Sequence, residues 1–398
     1  MNFSKKAEQI TPSITLAITA KAAEMKSNGI DVIGFGAGEP DFNTPKNIQD
    51  AAISAIRNGY TKYTPVSGIK ELKKAVCDKF KRDNNLDYDI SDIIICTGAK
   101  QCLSDTFSAL INPGDEVIIG VPYWVTYPEL VKLNDGVSVL INTKEENHFK
   151  LSIEDIKNAY TNKTKAILLN SPSNPTGTVY TREELNEIAD FAKEKDLFII
   201  SDEIYEKLIY DGEKHISIAS LSEDAFNRTI VINGMSKSYA MTGWRLGYAA
   251  SGCTKLIKLM SNIQGHTTSN ANSITQYASV EALNGSQEDL KFMVGEFEKR
   301  RNYMVKKINS INRIHCTMPK GAFYVMINIS ELFGKKVNGI EINNSVDFSK
   351  ALLEENKVAV VPGAGFGSDN YVRLSYATSM ENIVKGLDEI ENFVTKLN

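Results

Sequence analysis

The sequence predicts an α/β fold, in which a large domain with a mostly parallel sheet sandwiched by helices is followed by a smaller α+β domain. Three observations lead there. Between about residues 90 and 250, short aliphatic runs alternate with helix-length amphipathic stretches. The runs are uninterrupted rather than alternately apolar and polar, as strands covered on both faces require. Polar, glycine- and proline-bearing segments follow these runs, at the strand ends where such sheets bind ligands.

In chain order, residues 45–59 read as a helix. Thr44 is available as its cap, Pro45 suits the first turn, and Ile48, Ala51, Ala52, Ala55 and Ile56 share one face before Gly59 stops it. The predicted strands are Ile93–Cys96, Val117–Ile119, Ala166–Leu169, Leu197–Ile200, Thr229–Ile232 and Leu246–Ala250, with helices near 100–111, 152–160 and 181–195. Residues 286–312 form one long charged helix. Strands near 322–329, 357–361 and 371–375 and a closing helix from 379 complete the smaller domain.

Bulk properties narrow the function. The chain has 398 residues, 42% apolar and 24% charged, with Lys+Arg 45 against Asp+Glu 49 and a formal charge of −4. That length accommodates two domains, and the absence of basic excess argues against nucleic acid as a partner. Small anionic substrates stay open, because local arginines rather than net charge would hold them. The start, Met1–Glu8, lacks the apolar stretch of a signal peptide, and no run reaches a membrane span, so a cytoplasmic protein is expected. Cys77, Cys96, Cys102, Cys253 and Cys316 form no C-x-x-C pair and read as free thiols. His148, His215, His266 and His315 are scattered, and no metal site is expected.

The most informative stretch is Ser236-Lys237-Ser238 with Arg245 eight residues after the lysine. An amine among small residues can condense with an aldehyde as a Schiff base. Ser236 and Arg245 suit a phosphate, one as a hydroxyl donor and one as a planar fork. Pyridoxal phosphate carries both groups; a solvated lysine in an ordinary loop is the competing reading. Asp202, in Ser201–Tyr205, would pair with the ring nitrogen and keep it protonated, and Tyr205 would reach the 3-oxygen. An ordinary helix N-cap is the alternative for Asp202. Gly98-Ala99-Lys100 opens a helix whose free amides can cradle phosphate, though many plain connections look similar. Asn174, held in a loop by Pro172, Pro175 and Gly177, would meet the 3-oxygen and a substrate carboxylate; a simple Asx turn competes. Trp124 would stack on a planar ring or pack in the core. Arg373 sits in a strand-like segment with Val372 and Leu374 on the opposite face, so it looks either to solvent or into a cleft, where it would clamp an α-carboxylate. Gly34–Gly38 and Gly363–Gly367 are G-x-G-x-G and not the dinucleotide fingerprint, and no phosphate-binding G-x-x-x-x-G-K-[ST] occurs.

As an ordered set, Gly36–Phe42, Tyr60–Thr64, Pro122–Trp124, Asn174–Gly177, Ser201–Tyr205, Ser236-Lys237, Gly243–Arg245, Gly321–Tyr324 and Val372–Ala377 resemble the class I aminotransferases of fold type I. The likeness is nearest to bacterial aspartate aminotransferases of the gamma subgroup. It implies pyridoxal 5'-phosphate as cofactor, carried on Lys237, which also moves the proton. It implies that Asp202, Tyr205 and Asn174 tune the ring, with Trp124 stacked on it. Ser236, Arg245, Gly98 and the amides of Ala99 and Lys100 would bind phosphate. Tyr63 would reach it from a second subunit of a homodimer with shared sites. Arg373 would hold the α-carboxylate with Asn174, Trp124 and the Gly38 backbone. The resemblance also joins residues 1–45 to 285–398 in the smaller domain, leaving 46–284 as the large one.

The alpha subgroup's distal-carboxylate arginine has no counterpart in Gln264–Ser269; Lys100 fits that role in the gamma pattern, with Ser13 and Thr15 as possible helpers. The implied reaction is ping-pong transfer from L-aspartate to 2-oxoglutarate, giving oxaloacetate and L-glutamate. Alternatives on the same frame are an aromatic or prephenate aminotransferase and a β-lyase. A transcription regulator would need a basic domain ahead of the first motif near residue 12. A dehydrogenase lacks its fingerprint.

Overall fold

A computed structural model describes residues 2–12 and 14–398. The first strands in chain order are β1 (Ile33–Gly34), β2 (Ile93–Cys96), β3 (Glu116–Val121), β4 (Val137–Asn142), β5 (Thr164–Asn170), β6 (Phe198–Asp202), β7 (Thr229–Gly234) and β8 (Gly247–Ala250). After the long helix Glu288–Ile308 come β9 (Tyr324–Asn328), the hairpin β10 (Lys336–Val337) and β11 (Ile340–Glu341), β12 (Val358–Ala359), β13 (Val361–Pro362) and β14 (Tyr371–Ser375).

The main sheet has the order β2-β8-β7-β6-β5-β3-β4. All its neighbours are parallel except at β8, which runs antiparallel to both β2 and β7. The aliphatic runs explain the layering. Ile93 to Cys96 and Ile230 to Ile232 are wholly buried, so helices must cover both faces. Each such isoleucine contributes about 1.5–3 kcal/mol on removal from water. The edge strand β4 was absent from the expected set. Its Val-Ser-Val-Leu-Ile-Asn pattern is half exposed and lacks the continuous apolar run of a central strand.

Helices Ala99–Leu110, Ile153–Ala159 and Arg182–Glu194 lie within a residue or two of their predicted spans. Ser152 and Thr181 start the latter two with capping boxes closed by Asp155 and Glu184. Helix Lys46–Arg57 corrects an expectation: Pro45 occupies the cap position. Thr44 instead donates from Oγ1 to the Ala240 carbonyl (2.7 Å) and accepts from Trp244 Nε1 (2.9 Å), tying this turn to the loop after β7.

The C-terminal part is built on the antiparallel sheet β13-β14-β9. β1 pairs in parallel with β12, Ile33 opposite Val358, and the Phe35 carbonyl accepts from Ser375 N at 2.8 Å. Met293, Phe297 and Met304 of the long helix enter the core beneath this sheet with Leu387, Ile390 and Phe393 of the closing helix Met380–Lys396. Ile204, Tyr205, Leu208 and Tyr210, which follow β6, pack into that same core. No helix among the described residues is long and apolar enough to cross a membrane.

Candidate active site

β2, β3, β5, β6 and β7 end at one edge of the sheet, and their following segments converge on a cavity of about 480 Å³. Its wall includes Gly38, Ala99, Lys100, Trp124, Asn174, Asp202, Tyr205, Ser236, Lys237, Arg245 and Arg373. Gly98 lies just behind, at the turn into helix Ala99–Leu110. Tyr63 does not line the cavity; its side chain is 90% exposed. Ser13 and the side chain of Thr15 lie outside the described residues.

Lys237 follows β7 and points its Nζ at the Gly38 carbonyl, to which it donates. The rings of Tyr205 and Phe323 flank it, each centroid 5.9 Å from Nζ. Burial pushes the amine down to about 8; Glu39 and Asp202 resist that shift, and Arg373 and Arg245 assist it. Asp202 ends β6 and is 3% exposed. No α-helix follows it, so it caps none; Oδ1 accepts from Ile204 N (3.2 Å) and Oδ2 from the Tyr127 hydroxyl (2.8 Å). Burial pushes its carboxyl up to about 6 despite both bonds.

Arg373 projects from the middle of β14 into the wall between the two sheets and is 3% exposed. Nη1 donates to Asn174 Oδ1 (2.9 Å) and Nη2 to the Gly36 carbonyl (3.1 Å). Its guanidinium lies 4.3 Å from the Tyr324 ring centroid and 5.0 Å from that of Phe366, and its Nε has no partner. The cleft alternative therefore holds, and solvent exposure is excluded. Trp124 is only partly buried and stands edge-on to Tyr127 at 5.3 Å, with Lys100 Nζ 5.0 Å from its ring. Burial, then the charge of Arg245, pushes the Lys100 amine down.

The phosphate-type turn is tight. Gly98 has φ 83°, and a Cβ there would lie 2.6 Å from Arg245 Nη2, so the arginine rests against the turn. The Ala99 and Lys100 amides, first in their helix, have no acceptor within it.

Three contributors escaped sequence reasoning. Tyr127 lies in no predicted element, and Tyr324 and Glu39 enter the sequence reading only as parts of motifs, without a role of their own. Tyr324 joins the site through a 3.0 Å hydroxyl contact with Tyr205, and Glu39 through Thr242. Behind the site, ligand atoms of Glu203, Glu206 and His215 lie within 4.8 Å of one another. Internal partners already engage these carboxylates. Glu206 pairs with Lys79, while Glu203 accepts from Ser201 (2.8 Å) and Ser217 (2.7 Å) and contacts His215 Nε2 (2.8 Å).

Residues 30–390 match the family described as aminotransferase class I and II. The chain is 52% identical over 396 residues to the aspartate aminotransferase of Bacillus subtilis, covering 100% of each. It is 49% identical over 383 residues, 96% of each, to a probable aspartate/prephenate aminotransferase of Rickettsia bellii. The crystal structure of the Rhizobium meliloti aspartate aminotransferase superposes with a TM-score of 0.96 at 41% identity, over 100% of both chains.

Proposed function

Because the chain belongs to the class I and II aminotransferases, we propose that it moves the amino group of L-aspartate to 2-oxoglutarate, yielding oxaloacetate and L-glutamate, with pyridoxal 5'-phosphate as the carrier. The observation that carries this reading is the meeting of a neutralisable amine, Lys237, a buried carboxylate, Asp202, and a buried guanidinium, Arg373, in one cavity.

The residues fit the cofactor. Asp202 is a buried carboxylate whose pKa burial raises, and a protonated ring nitrogen would supply it with a directly facing cation. The Gly98 turn, the Ala99 and Lys100 amides, Ser236 and Arg245 form a cradle for phosphate. When bound, the cofactor supplies an aldehyde for the amine and a ring that withdraws electrons from the substrate's Cα. Asp202, held by Tyr127, fixes the ring's charge, while Trp124, Asn174 and Tyr205 orient it. Arg373, pinned by Asn174 and the Gly36 carbonyl, aims its guanidinium at an α-carboxylate. Lys237 Nζ, with its proton affinity lowered by burial, takes the proton from Cα and holds it. Lys100 stands at the cavity wall beside Trp124, where its charge suits the distal carboxylate of a dicarboxylic substrate.

Other parts of the reading follow from the same residues. Ile53, Ile56, Tyr60 and Tyr63 are exposed together along and just beyond helix Lys46–Arg57, which suits a homodimer interface through which Tyr63 reaches the other site. The pairing of β1 with β12 supports treating 1–45 and 285–398 as one body against 46–284. Free thiols, four of them buried, suit the cytoplasm.

Lys237→Ala should lower steady-state turnover by at least about 10³-fold, and unchanged turnover would refute the assignment. Amino-donor profiling with aspartate and phenylalanine, and with prephenate as acceptor, separates the dicarboxylate reading from the prephenate activity named for the Rickettsia relative.

A further inference from the structure

We propose that Glu39 is a positioning residue for Lys237. Anchored on Thr242, it holds the Gly36–Glu39 strap against the amine and presents to Lys237 a second carboxylate besides Asp202. This rests on Lys237 carrying the cofactor.

The strap is short and heavily used. Its Gly36 carbonyl accepts from Arg373 Nη2 (3.1 Å) and its Gly38 carbonyl from Lys237 Nζ. Glu39 Oε2 then accepts from Thr242 Oγ1 (2.7 Å), and the Thr242 carbonyl accepts from Arg245 Nη1 (2.8 Å). Four consecutive residues thus reach Arg373 and Lys237 directly and Arg245 through one threonine. The contacts to Lys237, Thr242 and Arg373 cross about 200 to 340 positions of sequence and continue the anchoring that Phe35, just before the strap, receives from Ala359 and Ser375.

The charges facing Lys237 are Glu39 and Asp202 on the negative side and Arg373 and Arg245 on the positive, with the Tyr205 and Phe323 rings between. Once a ring cation engages Asp202, Glu39 is the carboxylate left to favour a proton near Lys237. Glu39 stands at the solvent-exposed mouth of the cavity, so its influence is moderate and sensitive to salt.

The test uses the full chain loaded with pyridoxal phosphate, with its visible absorption band titrated between about pH 5 and pH 9.5. Glu39→Gln keeps an acceptor for Thr242 and removes the charge. Its midpoint should fall by about half a pH unit at low salt, with the shift shrinking in about 1 M salt. The acidic limb of the kcat/KM profile should move with it. Glu39→Asp should restore the wild-type midpoint, and Thr242→Val should shift it in the same direction as Glu39→Gln while raising KM. A Glu39→Gln midpoint equal to wild type overturns the proposal even though the cofactor reading stands. A wild-type protein that acquires no visible band sinks the cofactor reading, and this proposal with it.

Discussion

Asp105 and Asp202 are both buried carboxylates pushed up to about 6 by burial, yet only one has a use for its charge. Asp202 closes an aliphatic run at the sheet's carboxyl edge, so it was legible in the sequence. Asp105 sits inside helix Ala99–Leu110, where an aspartate reads as a surface residue, but its Oδ2 is buried without a partner. Its folded pKa is raised, so the native state holds the proton more tightly than the unfolded chain does. The cost of charging it is absent below about pH 4, grows between about pH 4 and 6, and is constant above that, at about 2–3 kcal/mol. Asp105→Asn should therefore stabilise the protein by about 1–3 kcal/mol in urea unfolding at pH 8 and by little or nothing at pH 4. An equal gain at both pH values would contradict this.

Among the elements, the crossing of β8 over the start of helix Ala99–Leu110 decides the shape of the phosphate cradle. Gly98 announces itself as a turn in the sequence. Gly247 does not, because it opens what reads as a plain strand, Leu246–Ala250. A Cβ at Gly247 would lie 2.3 Å from Ala99 N and 2.5 Å from the Gly98 carbonyl carbon, and backbone on that side has little room to yield. Gly247→Ala should displace the amide of Ala99 and weaken affinity for pyridoxal phosphate by about 10-fold or more, measured by titrating the cofactor into stripped protein. Gly243→Ala, whose Cβ would meet nothing within 4 Å, is the control and should bind as wild type. Equal losses in both would mean that general loosening, and not the cradle, is at fault. The missed edge strand β4 and the misassigned Thr44 cap have separate causes. A half-exposed edge pattern hides β4 even though its partner β3 is the strand just before it. Thr44 is engaged by Ala240 and Trp244, about 200 positions away. In each case the deciding information lies outside the segment's own apolar pattern.

For the whole molecule, the proposed homodimer makes a prediction that a monomeric enzyme cannot meet. Lys237→Ala and Tyr63→Ala would each damage a different contribution to the same site. Mixed, refolded together and allowed to assort, they form heterodimers in which one site carries both lesions and the other carries neither. Activity in the mixture should rise to about a quarter of wild type, well above the parents' average. A mixture no more active than that average would show each site to be self-contained. Within one chain, the large sheet is not sealed off from the rest. Ile204 to Tyr210, leaving β6, enter the core beneath β9 and β14, so the ring-binding end of β6 and the Arg373 strand share packing.

The sequence by itself determined the sheet, the edge at which chemistry gathers, and the identity of most side chains there. Unbroken aliphatic runs and punctuating glycines and prolines are local signals, and strand direction carries their ends to one side. Only the tertiary structure decided which way ambiguous residues face. Strand periodicity says that Arg373 lies opposite Val372 and Leu374, but not which face is covered. Packing on Tyr324 and Phe366, with Gly36 across the cleft, settles that. Trp124, Tyr127 and Glu39 likewise acquire their place from partners outside their own segments, and a pattern of neighbours along a chain holds no record of contacts made by folding it.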